Sequence, residues 1–295
     1  MSAVRVEGLT KVYGHVTAVD GIDFEIETGE VVAVLGPNGA GKTTTVEMIE
    51  GYRRPDRGHI EVLGRDPSRR EGDWLDRIGI VLQHSGIEDE LTVSEAIVTQ
   101  ARAYSSPMGV EEAIEMVDLG EKRDDRIKTL SGGQRRRLDL ALAMVGNPEL
   151  LFLDEPTTGF DPAARRRSWE AIRALAGAGT TVVLTTHYLE EAQALADRVI
   201  VMSRGSIVAS GPPDDLGDRS TGSTTIRFKV DPARANDLGV GANGGAVVIE
   251  TDDPVPMINR ITGDALRLGI AIEGLELTRP TLEEAYLRLV GGRDE

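Results

Sequence analysis

The run VVAVLGPNGAGKTTTVEMIEG, Val31 to Gly51, constrains the fold more than any other stretch of the chain. Five apolar residues of strand length lead into a glycine-rich turn, and helix formers follow at once. The turn fits G-x-x-x-x-G-K-[ST] at Gly36, Gly41, Lys42 and Thr43. Its glycines let backbone N–H groups close around β- and γ-phosphates at a helix N-terminus, where Lys42 adds a point charge. The Thr43 hydroxyl is placed to ligate Mg²⁺. An ordinary Gly-rich turn is the competing reading, and the strand before it and helix after it count against that. The motif points to an NTPase and goes no further.

Buried-strand runs return in ELLFLDE, TTVVLTTH and DRVIVMS, with AARRRSWEAIRALAGAG as a helix between the first two. Apolar strands alternating with helices predict an α/β protein whose parallel sheet is covered on both faces. Before the glycine-rich turn, up to about Ile26, AVRVEGL and GIDFEIE alternate as strands. The middle region, about 84–147, reads as helical. There Thr92-Val93-Ser94-Glu95 forms a capping box, with Val93, Ala96, Ile97, Ala101 and Tyr104 at helical spacing behind it. These elements make up a main domain over residues 1–216. A polar linker, 217–223, leads to a small α+β accessory domain, 224–295. In it TIRFKV alternates, VPMINRITGDALRLG is an amphipathic helix ending at Gly269, and IAIEGLEL is a strand with a bulge at Gly274. A second capping box, Thr281 to Glu284, opens a final helix through Leu289.

Several polar residues compete between structural and chemical roles. LLFLDEP delivers Asp154 and Glu155 at the C-terminal end of a buried strand, where sheet ligands collect. Beside a phosphate loop, Asp154 fits a Mg²⁺ ligand acting through water and Glu155 a general base. Gln83 and His187 each end an apolar run and read by default as polar strand termini; His187 could also contact a γ-phosphate. Tyr13 is an ordinary surface or core tyrosine, or a ring that stacks on adenine. Asp161-Pro162 is fully explained as an N-cap with proline at the first helical position. LSGGQ, Leu130 to Gln134, also fits a capping box through Ser131 and Gln134. A cap alone does not need two glycines, which cost a helix about 1 kcal/mol each relative to Ala. They permit close backbone approach to an anion. Arg135, Arg136 and Arg137 point in different directions around the helix that follows, and the run suggests no catalytic role.

Against 33 Lys+Arg stand 49 Asp+Glu, a formal charge of −16 that disfavours loose binding to nucleic acid or to anionic lipid. A membrane role would therefore run through a protein partner, without direct lipid anchoring. No apolar run is long enough to span a bilayer, and MSAVRVEGL lacks a signal-peptide core, so a cytoplasmic setting is expected. With no cysteine, thiolate catalysis and thiolate metal sites are excluded.

Taken in order, Tyr13, GPNGAGKTT, Gln83, LSGGQ, LLFLDEP, GFDP and His187 resemble the ATP-binding cassette (ABC) ATPase family over about residues 3–216. DELTVSEA, HYLEEAQALADRVIVMSRGSIVASGPPDDL and RPTLEEAYLRLVGG further resemble the nucleotide-binding subunits of type-2 ABC exporters, including daunorubicin-type multidrug efflux ATPases. The resemblance implies a P-loop NTPase cassette with a mixed sheet core and antiparallel β and helical subdomains. It implies that two cassettes, identical or homologous, pack head to tail around two ATP molecules. Tyr13 would stack on adenine, and Gly36, Asn38, Gly39, Ala40, Gly41, Lys42, Thr43 and Thr44 would hold the phosphates. Thr43, Gln83 and Asp154 would surround Mg²⁺, with Glu155 as base, Lys42 assisting and His187 sensing the γ-phosphate. Ser131, Gly133 and Gln134 would contact the ATP of the opposite cassette, and Asp161 would lie at the dimer seam. The segment after Gln83 would dock a permease at the cytoplasmic face of the membrane. Phe160 departs from the family's usual Leu but stays apolar. A non-transport ABC ATPase acting on a macromolecular complex is the alternative, and a regulatory ATP sensor without turnover is a third reading. The single cassette, the acidic surface and the presence of both Glu155 and His187 weigh against these two.

Overall fold

The computed structural model describes residues 2–81, 86, 88–216, 224–278, 282–283 and 286–287. Gln83 and the expected linker 217–223 lie outside the described residues, as do Thr281 and Glu284 of the second capping box. The chain divides into two compact units, Met1–Pro212 and Pro213–Glu295.

The first unit opens with β1 (Ser2–Tyr13) and β2 (Val16–Glu27), antiparallel strands longer than the alternating stretches alone indicate. β3 (Val31–Leu35) has every residue buried and runs through the phosphate loop into α1 (Lys42–Ile49). β4 (Arg57–Val62) then returns to β1, giving a small sheet of order β2-β1-β4. After α2 (Gly72–Leu75) and β5 (Ile78–Val81) come three helices. These are α3 (Val93–Ala101), α4 (Val110–Met116) and α5 (Gly132–Met144). The Thr92–Glu95 capping box is formed in both directions, and Val93, Ala96, Ile97 and Ala101 are buried behind it. Tyr104 falls beyond the end of α3, with its ring against Gly146.

The remaining elements of this unit are β6 (Leu150–Asp154), α5's successor α6 (Pro162–Gly177), β7 (Thr181–Thr185), α7 (Leu189–Leu195), β8 (Arg198–Ser203) and β9 (Ser206–Gly211). They complete a sheet of order β5-β6-β7-β3-β8-β9, parallel except where β9 turns back on β8. The sheet is thus mixed, and the fold is that of a P-loop NTPase. One core joins both sheets: Val4, Leu9, Ile26 and Val62 pack with Val34, Met48, Ile49, Phe152 and Ile200. Each such large side chain contributes roughly 1.5–3 kcal/mol on leaving water. Helix α1 belongs to this core through Val46, Met48 and Ile49, which fixes the end of the phosphate loop.

In the second unit β10 (Thr224–Lys229), β11 (Ala246–Thr251) and β12 (Glu273–Thr278) form an antiparallel sheet of order β11-β10-β12. Helix α8 (Pro254–Leu268) ends at a left-handed Gly269 and buries Ile261 and Ala265 in a cluster with Ile226, Phe228 and Val247. Register slips between Arg227↔Glu276 and Lys229↔Glu273, the bulge expected at Gly274, whose φ is +59°. β12 begins at Glu273, later than the apolar start of IAIEGLEL suggests, and β11 adds a strand that the sequence patterning passed over.

Candidate nucleotide site

The C-terminal ends of β3, β6 and β7 lie side by side, with Val34 opposite Thr185 and Thr185 opposite Asp154. From these ends leave the phosphate loop, the Asp154-Glu155 pair and His187. Three strand ends at the crevice where a parallel sheet receives ligands therefore lead to the phosphate loop, Asp154, Glu155 and His187. Tyr13 ends β1, while Ser131, Gly133 and Gln134 open α5 and Asp161 caps α6.

Within the loop, Lys42 Nζ donates to the carbonyls of Gly36 (2.7 Å) and Pro37 (3.0 Å). Burial pulls its ammonium below the usual lysine range, while the Glu155 and Asp154 carboxylates work the other way. Gly41 caps α1 at φ 100° and no side chain caps the first turn, so the opening N–H groups of the helix are left for an anion. A Cβ on Gly41 would stand 2.3 Å from the Ala18 carbonyl oxygen, and one on Gly36 would stand 2.4 Å from that of Met202. Both glycines are demanded by packing as well as by phosphate access. Gly39 is left-handed and exposed, Asn38 is exposed, Ala40 is buried and Thr44 is half-buried.

Asp154 Oδ1 accepts a hydrogen bond from the Thr185 hydroxyl. Glu155 is a non-glycine residue at φ 47°, a conformation that costs on the order of 1–3 kcal/mol. Its N–H donates to the Thr185 carbonyl (3.0 Å). Its Oε1 lies 3.2 Å from His187 Nδ1, and Thr158 Oγ1 donates to its Oε2 at 3.2 Å. The sheet thus brings the proposed base and the proposed γ-phosphate sensor into contact. Thr43 and Asp154 line one cavity of about 360 Å³ with Val46, Glu47, Glu50, Tyr52 and Arg53. Arg53 also lies over the Tyr13 ring, 5.5 Å from its centroid, and Tyr13 itself is exposed.

Ser131 caps α5 as the capping-box reading requires: its hydroxyl accepts from Gln134 N–H (3.3 Å) while Gln134 Oε1 accepts from Ser131 N–H (2.8 Å). A Cβ on Gly132 or Gly133 would meet nothing within 4 Å. Among the described residues nothing crowds these two glycines. Asp161 Oδ1 accepts from Ala164 N–H (2.8 Å) and Ala163 N–H (2.9 Å), so its structural role as N-cap is realised. Those donors, Ala164 first, hold its carboxyl below the usual carboxylate range.

Three residues near the site escaped the sequence reading. Thr185 steers Asp154, and Arg136 reaches the carbonyls of Asp154, Glu155 and Pro156 at the end of β6 and just beyond it. The third is Glu50, whose carboxyl burial pushes up to about 8, helped by Asp154 and Glu47 and opposed by Arg70. An acid raised in the folded state stabilises the fold below its unfolded value near 4.5 and loses that contribution as pH rises through about 8. In magnesium-free, nucleotide-free buffer, Glu50→Gln is therefore expected to flatten the loss of thermal stability between pH 5 and 8. Its gain over wild type at pH 8 should reach a few kcal/mol, read by thermal denaturation at each pH. Equal pH dependence in both proteins would show that Glu50 does not titrate there.

Residues 19–158 match the ABC transporter family. The chain is 39% identical to the daunorubicin/doxorubicin resistance ATP-binding protein DrrA of Streptomyces peucetius, over 98% of this chain and 92% of that protein. It belongs to the ATP-binding subunits of ABC transporters. The Nod factor export ATP-binding protein I of Ralstonia nicotianae is 36% identical, over 98% of this chain and 94% of its own length. Among solved structures, the ATP-binding subunit of an ABC transporter superposes with a TM-score of 0.67 at 26% identity, covering 74% of this chain and 92% of that one. A dimeric ATP-binding cassette in a post-hydrolysis state, bound to ADP and Pi, gives 0.64 at 26% identity, covering 71% and 98%. As a member of this family, the ABC subunit is an ATPase, and its relatives fall in the exporter branch.

Proposed function

We propose that this ABC ATPase energises an exporter as one half of a head-to-tail dimer, with a separate membrane permease as partner. The observation that carries the dimer is the contrast between two pairs of glycines. Gly36 and Gly41 are fixed by contacts within the chain, whereas Gly132 and Gly133 face open space beside an exposed Ser131. A second cassette placed against that face gives its backbone N–H groups an anion to approach. Asp161, also exposed, would sit at the same seam.

In each site Lys42 and the uncapped N–H groups of α1 bind the phosphates, and Tyr13 stacks on the base. A Mg²⁺ ion fits the donors present, because Thr43 and Asp154 offer hard oxygens to one cavity. Among the described residues no group of three or more His, Cys, Asp or Glu is arranged to hold a metal ion by itself. When bound, the ion would neutralise charge on the β- and γ-phosphates, with Gln83 as a further ligand. Glu155 takes a proton as water oxygen bonds to the γ-phosphorus and the bond to the β-phosphate oxygen breaks. His187, against Glu155, binds the γ-phosphate.

Among the described residues no helix is long and apolar enough to cross a membrane, and a formal charge of −16 disfavours loose binding to anionic lipid or nucleic acid. A permease docked after Gln83 would hold the subunit at the cytoplasmic face. Purifying the tagged full chain from detergent-solubilised membranes of its host tests this. A polytopic membrane protein is expected in stoichiometric amount. Recovery with ribosomes, nucleic acid or a soluble assembly instead would favour the non-transport alternative.

A further inference from the structure

The three arginines after LSGGQ have three different destinations. Arg135 pairs with Asp89, and Arg137 donates to the carbonyls of Val117 (3.1 Å) and Asp118 (2.6 Å) and to the Asp118 carboxylate (3.0 Å). Both therefore stay within the helical region. Arg136 leaves it. Its guanidinium reaches the end of β6, donating to the carbonyls of Asp154, Glu155 (3.3 Å) and Pro156 (3.4 Å). The side chain is 11% exposed, with Asp139 3.9 Å away. Asp139, Asp154, Glu155 and Glu191 all offset the burial of its charge. A planar fork of five donors suits three carbonyls on one turn, which a lysine point charge does not.

The turn so held is the one that sets Glu155 at positive φ. Its N–H is held from β7 by Thr185, and its C=O from α5 by Arg136. Ser131, the N-cap of α5, lies five residues before Arg136 and is exposed. One helix thus carries the contact to a neighbouring cassette at its start and the hold on this chain's own base one turn later.

We propose that Arg136 is a positioning residue, holding the Glu155 turn from the LSGGQ helix so that engagement of the partner's nucleotide at Ser131 aligns this chain's own base. The inference rests on Glu155 as base and on the head-to-tail dimer. It identifies a route by which ATP in one site sets the rate in the other.

The test measures turnover of the full chain against ATP concentration, with saturating magnesium, for wild type, Arg136→Ala, Arg136→Lys and Glu155→Gln. Arg136→Ala is expected to lower kcat by about 10- to 100-fold with KM within about threefold. Its Hill coefficient should fall from about 2 toward about 1. Millimolar guanidinium should restore part of the lost kcat, as should Arg136→Lys. Wild-type kcat and cooperativity in Arg136→Ala, with Glu155→Gln inactive, would overturn the inference. So would equal losses of kcat and melting temperature that neither guanidinium nor Lys repairs, since that marks a folding role. Should Arg136→Ala not fold, Arg136→Lys decides: it should lose about tenfold in kcat, and full activity with unchanged cooperativity overturns the proposal. Turnover surviving in Glu155→Gln would instead defeat the reading of Glu155 itself.

Discussion

Glu155→Gln is expected to lower ATP turnover by about 100- to 10,000-fold while ATP still binds. The amide keeps the size of the carboxylate and one acceptor oxygen, but it cannot take a proton at neutral pH. Its neighbours explain why the site should keep its shape. Oε1 faces His187 Nδ1 at 3.2 Å and Oε2 accepts from Thr158 at 3.2 Å. The turn itself is set by backbone contacts to Thr185 and Arg136, which the substitution leaves in place. Lys42, Thr43 and the start of α1 lie on another element and retain the phosphates. With binding intact and water activation removed, the ATP-bound dimer should accumulate. Phosphate release measures the first effect, and light scattering with and without MgATP measures the second. Wild-type phosphate release would remove Glu155 as the base.

Ser131→Arg should cost about 100- to 1,000-fold in turnover, the scale seen when one preorganised electrostatic contact is lost. The damage falls on the partner's site, not on the chain's own. Ser131 sits where a helix starts with two glycines that no described residue crowds, and its hydroxyl is tied into the cap with Gln134. A long cation there removes the cap and fills the space meant for a neighbour. ATP binding by the separated monomer should stay within about twofold, because the phosphate loop is untouched. Titration with a fluorescent ATP analogue reads that binding, and steady-state hydrolysis reads the loss. Full activity in the variant, or in a wild type that stays monomeric with MgATP, would sink the head-to-tail arrangement.

Much of this architecture was legible because its signals are local. β3, β6 and β7 are short apolar runs fully or almost fully buried, and each ends in the residues that chemistry needs. Asp154, Glu155 and His187 could be assigned to one edge from strand-end position alone. What sequence could not supply was which strand lies beside which. The order β6-β7-β3 is what makes Thr185 a partner of Asp154, and no local pattern encodes a non-consecutive neighbour. Arg136 left a readable trace, since it lies four and seven residues before the buried Leu140 and Ala143, on the inward stripe of α5. A charged residue on that stripe signals a carbonyl or carboxylate target. Its identity had to come from the fold. β11 carries no reading from the sequence, and of its six residues only Val247 is fully buried, which leaves little apolar pattern to see. β12 starts at Glu273, and Ile270, at the head of its apolar run, packs into the core cluster of its own unit ahead of the strand.

The two pairs of glycines also differ in what would keep them in place over time. Gly36 and Gly41 answer to the carbonyls of Met202 and Ala18, so a chain that lost either would struggle to fold even if it never met nucleotide. Gly132 and Gly133 answer to nothing among the described residues of their own chain. A descendant cassette that stopped pairing could keep its first pair and drift at the second without folding any worse. The same residue type would then record two histories, one of a monomer's packing and one of its company.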